Sequence, residues 1–166
     1  SFVRQIWSYA GIASASIGTL GVETATRLIA GSLTTPDSRT LHQSMRALKA
    51  QGIDHVAIEA SSHGLEQRRL DGIHFEAVAF TNLSRDHLDY HADMDAYRNA
   101  KLRLFTDLLV DGGPAVVNVD DPEYEPFMFA ALGNGSTLLT VVRAGAYIEI
   151  LSIKTEGYGQ RVEVRH

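Results

Sequence analysis

The chain has 166 residues, 45% of them hydrophobic, with no cysteine and 15 Lys and Arg against 20 Asp and Glu, a formal charge of -5. That is enough apolar side chain for one core without a metal or disulfide staple, while the acidic balance and the lack of any basic run exclude a nucleic-acid surface. No apolar stretch is long enough to span a bilayer and the N-terminus lacks the pattern of a secretory signal, so a cytoplasmic domain with no membrane insertion is expected.

Val3, Ile6, Trp7 and Ala10 have helical spacing, and Gly11 is a plausible stop. Ile12 to Leu20 reads as a strand rich in small residues, and Gly31 to Pro36 as a loop. Asp37 or Ser38 can then cap a helix that turns Leu41, Met45 and Leu48 inward until Gly52. Two short apolar runs, Val56 to Ile58 and Ala77 to Phe80, have the look of buried strands, and the polar stretch from Ser61 to Phe75 connects them. A helix follows from about Asp93 to Leu109, with Met94, Tyr97, Leu104, Phe105 and Leu108 as its inward stripe and Lys101 in the middle of that stripe. Ala115 to Val119 is a third buried strand, ending in Asp120 and Asp121. From Thr137 onward, Leu138 to Val142, Ala146 to Ile153 and Gln160 to Val164 read as peripheral, antiparallel strands. Alternating helix and strand predicts an α/β fold built on a mostly parallel, doubly wound sheet.

Both site strands empty into small, acidic and imidazole side chains, where an open α/β sheet carries its chemistry. Glu59, His87 and Lys101 stand at the end of one strand, in the loop after the next, and on the following helix. A carboxylate with an imidazole suits magnesium or manganese, and zinc through the imidazole. A lysine on an apolar stripe must snorkel, pair with an acid, lose its proton or be modified, and carbon dioxide would turn it into a carboxylate-like carbamate. Bland readings stand beside these. Glu59 suits a solvated strand end, His63, His87 and His91 suit ordinary loop or core positions, and Lys101 suits a snorkelling stem. His87 and His91 have the separation of a helical zinc pair but lack its glutamate.

Glu59-Ala-Ser-Ser-His-Gly-Leu65, Phe80-Thr-Asn-Leu-Ser-Arg-Asp-His-Leu-Asp-Tyr-His91 and Tyr97-Arg-Asn-Ala-Lys101, with Thr34-Thr35-Pro36 and Asn118-Val-Asp-Asp121, occur in series. At these residues the sequence resembles the Mur ligase family, the ATP-dependent amide-forming enzymes of peptidoglycan precursor synthesis, and within it the branch that adds the third residue of the stem peptide. The resemblance implies that Glu59 and His87 hold Mg2+, that Lys101 is a carbamylated lysine completing the metal shell, and that these three are catalytic. It implies that Thr34, Thr35, Ser61, Gln67 and Arg69 contact a UDP-N-acetylmuramoyl-dipeptide, and that Asn82 contacts the nucleotide. ATP would be the co-substrate and diaminopimelate or lysine the incoming amino acid, in an enzyme that is a monomer when complete.

The family opens its central domain with a strand and a phosphate loop, yet no Gly-Lys-Thr or Gly-Lys-Ser occurs among these residues, and Leu33 stands where the family usually has Asn. An incomplete central domain over 1–166 is therefore expected, with an α/β core over 1–122 and a β-rich peripheral segment over 137–166. Its first strand and phosphate loop, an N-terminal uridine-binding domain and a C-terminal amino-acid-binding domain would be missing, and little activity is expected of the fragment alone. Three rival readings share these residues: another amide ligase of the superfamily, a metal-dependent hydrolase, and a domain kept only for binding.

Overall fold

The structure, a computed structural model, describes residues 1–84, 89–142, 147–157 and 159–165. The chain divides into two compact units, Ser1–Gly72 and Ile73–His166.

The first unit runs α1 (Phe2–Tyr9), β1 (Ser14–Gly18), β2 (Gly21–Glu23), β3 (Leu28–Ile29), α2 (Ser38–Ala50), β4 (His55–Ile58) and α3 (Ser62–Glu66). Its sheet has the order β3-β2-β1-β4, with β1 parallel to β4 and antiparallel to β2. Ser14 to Ile17 are all buried, as expected of a central strand whose small residues let helices approach closely. Leu41 and Leu48, seven residues apart on α2, join Ile17, Leu65 and Leu70 in the interior. Asp37 starts α2 by accepting from the backbone N–H of Thr40 at 3.0 Å. The Thr40 hydroxyl, which also donates to Asp37, and those backbone N–H groups hold its carboxyl below the usual range.

Two expectations for this unit need correction. Val56 to Ile58 are only half-buried, because β4 is an edge of this sheet and pairs with β1 alone among the described residues. The α1 helix forms, but Ile6 and Val3 are exposed, and the side chain it buries is Arg4. Arg4 donates to Glu23 Oε1 at 2.7 Å. Partial burial would raise the Glu23 carboxyl, but the Arg4 guanidinium outweighs it and holds the group low. The β2–β3 hairpin carries no alternating pattern, and its strands of three and two residues are too short to show one.

The second unit runs β5 (Val78–Phe80), α4 (Met94–Thr106), β6 (Ala115–Asn118), α5 (Tyr124–Gly133), β7 (Leu138–Val142), β8 (Ile148–Glu156) and β9 (Gly159–Arg165), in sheet order β5-β6-β7-β8-β9. The pairs β5/β6, β6/β7 and β7/β8 are parallel, and only β8/β9 is antiparallel. The expected antiparallel arrangement after Thr137 thus holds for the β8/β9 pair and is overturned for β7, which is parallel to both its neighbours. The cause is α5, a crossover helix absent from the sequence reading, which returns the chain so that β7 lies parallel to β6. Pro126 hides it, although a proline in the first helical turn costs no internal hydrogen bond.

Phe127 of α5 stacks on Phe80 with ring centroids 4.0 Å apart and meets the Phe105 ring edge-on at 5.5 Å. Val78, Tyr97, Leu109, Ala115 and Val117 close the same core. Phe129, two residues on, is 62% exposed. Phe127→Ala should therefore cost about 3–5 kcal/mol, and Phe129→Ala no more than about 0.5 kcal/mol. Equal losses of the two variants in urea denaturation would contradict this packing.

Candidate active site

β1 and β4 lie side by side and parallel, so their carboxyl ends open at the same place. The Glu59 backbone N–H still donates to Ile17 at 2.8 Å, extending the ladder by one rung, and the side chain then leaves the sheet toward solvent. Its Oε2 accepts from the Thr19 backbone N–H at 3.3 Å and from the Thr19 hydroxyl at 3.2 Å. This approach depends on Gly18, where a Cβ would lie 2.8 Å from Glu59 Oε2 and 3.3 Å from Glu59 Cβ. The Thr19 hydroxyl also sits 3.0 Å from the Thr34 hydroxyl.

A second chain of hydroxyls reaches the backbone of the same residue. Thr35, completely buried, donates to the Glu59 carbonyl at 2.9 Å and accepts from the backbone N–H and the hydroxyl of Ser61, each at 2.9 Å. One proton and two lone pairs are thereby all committed, so the Thr35 hydroxyl has nothing left for a ligand. In this arrangement it orders the loop between β3 and α2. Ser61 caps α3 by accepting from the Gly64 N–H at 3.1 Å. Gly64 in turn is where a Cβ would stand 2.7 Å from Thr35 Cβ.

Arg69 folds back over this loop. It donates to the Thr35 carbonyl at 2.9 Å and through Nε to Gln67 Oε1 at 3.0 Å. Both partners are neutral, so the half-buried guanidinium brings a net positive charge suited to phosphate or carboxylate. The first unit thus joins Glu59, Thr34, Thr35, Ser61, Gln67 and Arg69 in one hydrogen-bonded network. Sequence reading missed Thr19 and Gly18, although their position just past the end of β1 was the signal that could have found them.

The second unit holds Asn82 and Lys101. Asn82 is exposed in the loop after β5. That loop is tied to the end of β6, where the Asn118 amide donates to the Thr81 carbonyl at 2.8 Å and Asp121 accepts from the Leu83 N–H at 3.1 Å. Lys101 is half-buried on α4, one turn after the buried Tyr97 and one turn before the buried Phe105, so it lies on the inward stripe where spacing put it. Its Nζ stands over the Tyr97 ring, 5.3 Å from the centroid. His91 is a core residue, buried and stacked on Tyr97 with centroids 5.1 Å apart. His87 lies outside the described residues. Among those described, no three His, Asp or Glu side chains converge as a metal cage. For Mg2+ the observation that fits is the Glu59 carboxylate itself, an exposed, pre-oriented oxygen donor of the kind a hard cation takes.

A family model described as the Mur ligase middle domain matches residues 1–165. The chain belongs to that family. It is 50% identical over 166 residues to a UDP-N-acetylmuramoyl-L-alanyl-D-glutamate--2,6-diaminopimelate ligase of Chelativorans sp. (strain BNC1), covering 100% of this chain and 34% of that protein. It is 49% identical over 166 residues to the ligase of the same name from Agrobacterium fabrum, again with 100% and 34% covered. A solved structure of a ligase with this name superposes at a TM-score of 0.85 and 32% identity, over 98% of this chain and 33% of that one. The chain therefore spans about a third of the length of these relatives. The family fold is the mixed α/β fold with parallel-rich sheets that the sequence predicted.

Gly64 lies inside a helix, where alanine is ordinarily favoured by about 1 kcal/mol. Contact with Thr35 reverses that preference, so Gly64→Ala should lower the melting temperature, and an unchanged or raised value would exclude the close approach.

Proposed function

We propose that this chain forms the central part of a longer ATP-dependent ligase of peptidoglycan precursor synthesis. The enzyme joins 2,6-diaminopimelate to UDP-N-acetylmuramoyl-L-alanyl-D-glutamate. The observation that carries the reading is the network linking Glu59, Thr34 and Arg69 at one end of β1 and β4, in a chain about 50% identical to ligases of that name. The chemistry runs in two steps. The γ-carboxylate of the D-glutamyl residue attacks the terminal phosphorus of ATP, giving an acyl phosphate and ADP. The amino group of the incoming residue then attacks the acyl carbon, phosphate leaves, and the nitrogen loses a proton. The need for ATP supports a cytoplasmic setting.

Each residue has a part in this scheme. Arg69 binds an anionic group of the muramoyl substrate, with Gln67 holding its guanidinium in plane. Thr34 lies at the outer end of the network and touches the same substrate, while Thr35 and Ser61 fix the loop. Asn82 lies toward the nucleotide. Glu59, His87 and Lys101, the last as a carbamate, would hold Mg2+, and that ion would supply positive charge against the phosphate oxygens during phosphoryl transfer. The carbamate forms when the neutral Lys101 amine adds to carbon dioxide, making an N–C bond and releasing one proton.

In the complete ligase, Arg69→Ala should raise KM for the muramoyl substrate by about 1.5–3 kcal/mol, on the order of ten- to a hundredfold, with KM for ATP little changed. Equal rises for both substrates would contradict the assignment of Arg69. The complete enzyme labelled with carbon-13 bicarbonate should show one carbamate resonance that Lys101→Arg removes. An active enzyme without that resonance would take Lys101 out of the metal shell.

A further inference from the structure

The hydroxyls around Glu59 have a direction. A carboxylate accepts and cannot donate, so the single proton of the Thr19 hydroxyl goes to Glu59 Oε2 at 3.2 Å, the charge-assisted and therefore stronger of its two options. Thr19 then has only a lone pair to offer Thr34, 3.0 Å away, and the Thr34 proton must point at Thr19. The second chain runs the same way, from the Ser61 hydroxyl to Thr35 and from Thr35 to the Glu59 carbonyl. Both chains of protons end on one residue, and the outer hydroxyl of each, Thr34 and Ser61, has its proton already engaged.

We propose that Thr19 is a positioning residue for the ligase reaction, which orients the Glu59 carboxylate and fixes Thr34 as a hydrogen-bond acceptor toward the substrate. Thr34 therefore contacts an N–H or O–H of the muramoyl peptide and not one of its oxyanions, and recognition of anionic groups falls to Arg69. This reverses what the hydroxyl alone suggests, since a free threonine would suit an oxyanion equally well. Gly18 serves the same arrangement by leaving room for Glu59 Oε2 beside the Thr19 N–H. Thr19 needs no contact with substrate for this role, because it acts through Glu59 and Thr34.

The inference rests on the reading that the complete enzyme binds the muramoyl peptide here, and the test separates the two. Steady-state kinetics of the complete ligase would compare Thr19→Val, Thr19→Ser, Thr34→Val, the Thr19→Val/Thr34→Val double variant and Arg69→Ala. Thr19→Val keeps the shape and removes the hydroxyl, and should raise KM for the muramoyl substrate about tenfold, the loss of one hydrogen bond to a charged group. Thr19→Ser should restore it to within about threefold. The double variant should be no worse than the poorer single variant, because both act through one chain of hydrogen bonds. Independent multiplication of the two effects, or a Thr19→Ser variant as impaired as Thr19→Val, would overturn the proposal. So would an effect on melting temperature with KM unchanged. If Arg69→Ala and Thr34→Val both leave KM for the muramoyl substrate unchanged, the substrate assignment itself fails. A direct check is Mn2+ titration followed by electron paramagnetic resonance, in which Thr19→Val should weaken binding and Thr19→Ser should not. Identical Mn2+ binding by Thr19→Val and the unaltered enzyme would show that Thr19 does not orient Glu59.

Discussion

The hydroxyl of Thr35 is the constraint on which the first unit's site depends. It is completely buried and makes three hydrogen bonds, one outward to the Glu59 carbonyl and two inward from Ser61. An uncompensated buried hydroxyl costs free energy, and this one is compensated only if the 34–35 loop, the end of β4 and the start of α3 are all in place. The same residue's carbonyl receives Arg69, and its Cβ fills the space a side chain at Gly64 would need. One buried residue thus ties its own loop to the stretch from Glu59 to Arg69, more than twenty residues on. The charged groups meanwhile stay at the rim, where water and ligands reach them.

Charge and burial are divided in a consistent way. Glu59 is exposed, and its carboxylate is steadied by neutral donors from Thr19. Arg69 is half-buried and steadied by neutral acceptors from Thr35 and Gln67. Neither charge is cancelled by a partner of opposite sign in these contacts, which leaves both to act on something outside the chain. Elsewhere the ion pairs close on themselves. Arg4 meets Glu23, and Arg98 of α4 meets Glu123 at the start of α5, whose bond holds the guanidinium's affinity for its proton above the usual value. Those pairs bind elements together and suit structural work.

In the second unit the acids at the end of β6 have a structural task. Asp121 accepts from Leu83 with one oxygen and from Glu123 with the other, and Asn118 holds the Thr81 carbonyl. The loop after β5 is therefore anchored to the neighbouring strand before any ligand arrives. Anchoring of this kind lowers the entropy to be lost when a substrate orders the loop.

How much was legible in the sequence follows from what each element needs. β1, α2 and α4 declare themselves because their patterns are local: a run of small buried residues, an Asp37 cap, and the spacing of Leu41 and Leu48. The site motifs are legible because the types at Glu59, Thr34 and Arg69 recur in a fixed series. The direction of β7 was not legible, since parallel or antiparallel pairing depends on how the chain returns, and the return from β6 to β7 is α5 with Pro126 near its start. By itself the sequence determined α1, α2 and α4 and the central strands, the fold class and the chemical inventory at the strand ends, all of which rest on residue type and near neighbours. Only the tertiary structure decided which threonine is buried and spent, which one faces outward, and which way the hydroxyl protons run. Those depend on atoms brought to between 2.9 and 3.2 Å from segments fifteen to forty residues apart, and no local pattern records that distance.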